Sequence, residues 1–139
     1  MKKNIGSALA LYPMPVTVIG TMNVDKPTWT LAAHVGSIGH DRVLVSLAVP
    51  HFINQFIKEC KKLSINIVDE GFLPEADYVG SVTGAKEDKS AVFAYEMSEA
   101  GKINYNTLKP VLFEFPTYEY LKTGDVIGRC LSFKKNPNE

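Results

Sequence analysis

Residues 26–54, KPTWTLAAHVGSIGHDRVLVSLAVPHFIN, decide the fold. The first part, residues 29–36, mixes small and hydroxyl residues with the only tryptophan of the chain. Residues 42–49 are apolar and β-branched, the composition of a strand buried on both faces. A polar loop, SIGHD at 37–41, joins the two. Pro50 then ends the strand, and His51 and Asn54 stand where a helix begins. Small side chains let a flat ligand lie against a strand's backbone. A helix N-terminus turns unpaired N–H groups and the positive end of its dipole toward an anion. A planar, phosphorylated cofactor suits such a surface.

On the N-terminal side, residues 16–22, VTVIGTM, read as a strand, and 23–27 as a turn built from Asn, Asp and Pro. On the other side, residues 51–62 read as a helix. Phe52, Phe56 and Cys60 recur at i, i+4 and i+8, Ile53 and Ile57 widen the stripe, and the lysines face water. Residues 63–68 alternate as a half-buried strand does. Residues 69–84 read as loops with one helical turn, and 86–90 as a charged loop. Further strands are expected at 91–97, 102–105 and 126–133, and across 111–121 with an interruption at Pro116. A short leading helix is expected at 7–11. Many short strands at near-regular spacing predict a mainly β chain with a few helices, folded as a barrel or sandwich.

The length of 139 residues favours one domain, residues 1–139, with a full core. Fifteen basic residues balance fifteen acidic ones, which argues against a nucleic-acid surface and against a basic membrane patch. No apolar run reaches the roughly 18 residues of a membrane span. The leading MKKNIGSALALYP has too short an apolar run for a signal peptide, so a cytoplasmic protein is expected. Cys60 and Cys130 lack metal spacing and read as reduced thiols. His34, His40 and the carboxylates form no ligand pattern, so no metal is expected. The phosphate-loop, dinucleotide and nucleophile-elbow motifs are absent.

Three groups of residues carry candidate chemistry, each with a plainer alternative. Trp29 and Thr30, beside Ala32 and Ala33, offer backbone to a ring and a hydroxyl to a phosphate; on residue type alone a core tryptophan and a sheet-face threonine are the more frequent case. His51 and Asn54 are phosphate donors or simple helix caps. Lys89, in the polar stretch holding Thr83, Gly84 and Asp88, faces an anionic ring or belongs to a solvated loop.

Four stretches in this order resemble the flavin reductase-like family of FMN-binding split-barrel proteins, which includes flavoredoxins. They are YPMPVTVIGT at 12–21, KPTWTLAAHVGSIGHDRVLVSL at 26–47, FIKECKKLSINIV at 56–68 and GSVTGAKEDKS at 80–90. The last is similar to the family's SGxxxDKF pattern, with Ser90 in place of Phe. The resemblance implies a split β-barrel with FMN between Trp29, Thr30, Leu31 and Ala32 on one side and Ser46, Leu47 and Ala48 on the other. It implies a phosphate near His51 and Asn54, since Ile53 replaces a hydroxyl residue common in the family. It also implies a homodimer and hydride or electron transfer from NAD(P)H through FMN to an acceptor. The flavin does that chemistry without a covalent protein catalyst, and Lys89 is the candidate charge beside the reduced ring. Two other classes stand beside this reading: an FMN electron carrier without a nicotinamide site, and a β-barrel interaction domain without flavin.

Overall fold

The structure is a computed structural model describing residues 3, 4, 6, 7, 11, 13–93, 110–114 and 117–124. The β-branched run after Val16 forms β2 (Thr17–Asn23), buried from Thr17 to Thr21. β2 is the centre of one sheet. It pairs antiparallel with β3 (Lys26–Ala32) on one side and β6 (Ser64–Ile67) on the other. A second sheet has the order β1 (Met14–Pro15), β7 (Val111–Glu114), β8 (Glu119–Lys122). Val16 stitches the two together: its N–H donates to Val111 O at 2.8 Å, and its carbonyl accepts from Val68 N at 3.1 Å. β4 (Val35–Ser37) and β5 (Val43–Val45) form a separate antiparallel pair. This is a mainly β, split-barrel fold with two short α-helices among the described residues.

The β2–β3 connection is tighter than the five-residue turn expected from its composition. Only Val24 and Asp25 lie outside the strands, and Lys26 and Pro27 already pair with Asn23 and Met22. Among the described residues β3 is an edge strand of its sheet, where Pro27 is tolerated. At the register point Gly20↔Trp29, the indole lies where a Gly20 side chain would be. That absence of a side chain seats Trp29 in the core with Val16, Val18, Val68, Ala76, Val79 and Val111. A second core cluster joins Ile19 and Ala32 to Ile53.

Several elements differ from expectation. The strand expected at 29–36 breaks after Ala32, so its residues are shared between β3 and β4. The strand expected at 42–49 is only Val43–Val45, and Val43 and Leu44 are each 54% exposed. Apolar composition cannot say whether burial is within the chain or against another surface. The alternating residues of β6 are likewise exposed. The helix α1 is Ile53–Cys60, two residues shorter at each end, with Lys61 closing it in the left-handed conformation. Its buried residue is Ile53; Phe52 and Phe56 pack edge to face beside it. The larger correction is α2, Leu73–Ser81, where one turn was expected. A 3-10 turn, Glu70–Phe72, leads into it, and Asp69 Oδ1 accepts from Gly71 N at 2.9 Å. Residues 91–93 are a turn; the remainder of the 91–97 strand, the 102–105 and 126–133 strands and most of the 7–11 helix lie outside the described residues.

Candidate functional site

Two adjoining cavities lie where β3, the α1 N-terminus and α2 meet. The larger, about 610 Å³, is floored by Leu31–Ala33 and by Ser46, Leu47 and Ala48. Its opposite wall comes from α2 and from the aromatic residues of β7 and β8. The smaller, about 210 Å³, is bounded by Thr28–Thr30, by Pro50–Ile53 and by the turn that follows α2. His51, Gly80 and Ser81 line both, so the two share a wall. The larger volume falls in the usual range for small-molecule sites, about 300–1,000 Å³.

The smaller cavity ends on the start of α1. Phe52 occupies the N-cap position and gives no side-chain hydrogen bond, and no acidic residue stands in the first turn. The positive end of the helix dipole therefore meets the cavity without a carboxylate to neutralise it, while Asn54 N–H is already taken by His51 O at 3.1 Å. Thr30 Oγ1 and His51 Nδ1 lie 3.2 Å apart, which fixes the imidazole at the junction of the two spaces. Asn54 does not cap the helix. Its Nδ2 reaches back to Ala48 O at 2.8 Å and Val49 O at 3.2 Å, clamping the loop that carries Leu47 and Ala48 onto α1.

The backbone of the shelf is partly committed. Ser46 N donates to His34 O at 2.9 Å, extending the β4–β5 ladder, so that N–H is not available to a ligand. Lys89 is likewise occupied. It is only 5% exposed, and its Nζ donates to Val79 O at 2.8 Å and Val82 O at 3.0 Å, closing the C-terminal end of α2. Burial holds its ammonium below the ordinary lysine value. Lys89 lines the smaller cavity, and it is not among the described residues lining the larger one.

The structure thus places Trp29 and Thr30 on the smaller cavity, Leu31, Ala32, Ser46, Leu47 and Ala48 on the larger and His51 on both, with Asn54 behind them. It adds residues that the sequence reading missed: Asp77, Gly80, Phe113, Tyr118 and Tyr120. Asp77 and Gly80 fall in the stretch read as loops with one helical turn, and Phe113, Tyr118 and Tyr120 in the strand stretch interrupted at Pro116. The helix carrying Gly80 had a readable cue, since Leu73, Ala76 and Val79 recur at helical spacing around a Pro74 in its first turn. The lack of a side chain at Gly80 lets α2 sit on β3, where an added Cβ would stand 2.7 Å from Leu31 Cβ. A further cavity, about 370 Å³, borders Trp29 but is lined by Asp69 and Glu75, whose carboxylates suit a phosphate poorly. Among the described residues no metal-ligand cluster occurs, and no helix is long and apolar enough to cross a membrane.

The family described as "Flavin reductase like domain" matches residues 9–118. No curated protein matches the chain significantly. Two solved structures share its fold. The flavoredoxin from Methanosarcina acetivorans superposes with a TM-score of 0.83 at 22% identity, covering 97% of this chain and 98% of that one. The flavoredoxin of Desulfovibrio vulgaris (Miyazaki F) gives 0.80, also at 22% identity, over 97% of this chain and 100% of that one.

Proposed function

Because the chain belongs to the flavin reductase-like domain family, we propose that it binds FMN and transfers hydride or electrons between NAD(P)H, the flavin and an acceptor. The observation that carries the reading is a ring-sized space adjoining a second one that ends on a helix start without a carboxylate. Leu31, Ala32, Leu47 and Ala48 are the shelf for the isoalloxazine. Thr30, His51 and the positive N-terminal end of α1 receive the phosphate. Asn54 and Lys89 act behind this surface, one holding the shelf loop and the other the end of α2. When bound, the flavin supplies the electron chemistry, and the protein supplies position, charge and exclusion of water.

The same reading includes a cytoplasmic homodimer. Ile38, Val43, Leu44 and Val49 are 63%, 54%, 54% and 91% exposed, an apolar strip around β4 and β5 beside the shelf. Two-stranded hairpins are marginal alone, and a partner copy over this strip accounts for its composition.

FMN titration tests the reading. Trp29 lies against the phosphate-side cavity, so its fluorescence should fall on binding and the melting temperature should rise. If neither changes, no flavin function remains. Anaerobic mixing of the FMN-loaded protein with NADH and NADPH then separates a reductase, which bleaches the flavin, from a carrier, which does not.

A further inference from the structure

The larger cavity has two unlike walls. One is the shelf of small and aliphatic residues. The other is formed by Asp77 from α2 together with Phe113, Tyr118 and Tyr120. Tyr120 Oη donates to Asp77 Oδ1 at 2.7 Å, tying the β7–β8 hairpin to the helix. Phe113 packs against both tyrosines, with ring centroids 6.0 Å from Tyr118 and 5.8 Å from Tyr120. Burial first, and then Asp77, hold the Tyr120 phenol protonated well above its usual range, so it stays a donor. Asp77 is the only carboxylate among the described residues lining this space, and no lysine or arginine among them faces it. The other titratable side chains there are His34, His51 and Tyr118.

We infer that the Asp77 carboxylate, held at the cavity wall by Tyr120, tunes the bound flavin toward a low reduction potential. The inference rests on the FMN reading above. Two-electron reduction of a flavin at neutral pH leaves an anionic ring, and a negative charge held on the same cavity wall opposes that charge. Oxidised FMN then binds more tightly than reduced FMN, and the bound flavin is a stronger reductant than free FMN. Such a flavin suits delivery of electrons to a low-potential acceptor. Tyr120 is the positioning residue. Without its hydroxyl the exposed Asp77 side chain turns to solvent, where its charge is screened.

The test uses the full chain with FMN, reduced anaerobically by dithionite against indicator dyes. The wild-type midpoint should lie below that of free FMN. Asp77→Asn keeps the size of the side chain and an acceptor for Tyr120 while removing the charge. It should strengthen reduced relative to oxidised binding by about tenfold, which is about 30 mV for a two-electron couple. Tyr120→Phe should move the potential the same way by less. A wild-type potential at or above that of free FMN overturns the inference, and so does a potential unmoved by Asp77→Asn. If Asp77→Asn fails to fold, an unmoved Tyr120→Phe potential overturns it instead. Absence of Trp29 quenching by FMN in the wild type removes the flavin reading as well; quenching with unmoved potentials removes this inference alone.

Discussion

Single residues set the site through what they lack or what they hold. Gly20 leaves room for the Trp29 indole, so Gly20→Ala drives a side chain into the ring and should cost about 1–3 kcal/mol by urea unfolding. Val24 is a β-branched residue at φ 58°, fully on the surface of the β2–β3 turn. Val24→Gly removes that strain and should stabilise by about 1 kcal/mol, read in the same measurement. Lys89 illustrates how residue type alone misleads. Its charge is legible in the sequence, but its direction is not: the ammonium serves the last carbonyls of α2. Lys89→Ala leaves those carbonyls unserved and should destabilise by about 2 kcal/mol. A destabilised variant that still binds both flavin states in the wild-type ratio assigns the residue to the fold.

Among the elements, α1 concentrates the anion-binding argument. Its first turn carries no acid, and Gln55 there is exposed. Gln55→Glu complements the helix dipole, and the ligand-free protein should gain about 0.3–1 kcal/mol. The same charge opposes a phosphate, so FMN affinity should fall while riboflavin affinity holds; equal loss for both ligands would place the phosphate elsewhere. The turn after α2 gives a pH signature. Hydrogen bonds from Ser90, and then Lys26 at 3.1 Å, hold the Asp88 carboxyl down at about 2, below its ordinary 3.8. A depressed folded pKa contributes stability above the unfolded value and loses it as pH falls toward the folded one. Stability should therefore decline between about pH 4 and pH 2, and Asp88→Asn should flatten that part of an acid unfolding curve.

The elements also show where local pattern stops being informative. Strand β2 was legible from its β-branched run, buried from Thr17 to Thr21, and helix α1 from its apolar stripe at helical spacing, both of which a sequence displays. Helix α2 was obscured by Pro74 and Gly80, residues that ordinarily break helices. One sits in the first turn, where its missing N–H costs nothing, and the other is needed for contact with Leu31. Residues 42–49 kept their apolar character, but their exposure follows from the sheet into which β5 is not incorporated.

For the whole molecule, the exposed strip around β4 and β5 predicts self-association. Light scattering with size-exclusion chromatography should report a dimer, and Leu44→Lys should yield monomer with weakened FMN binding. A dimer unaffected by Leu44→Lys would move the interface off this strip. The sequence by itself determined the mainly β class, the order of strands around residues 26–54, the helix that closes them and one face of the cavity. It could do so because periodicity, turn residues and family motifs are local properties of the chain. The tertiary structure alone decided the opposite wall. Asp77 and Tyr120 are 43 positions apart, and their hydrogen bond exists only once α2 and the β7–β8 hairpin have packed on the same core.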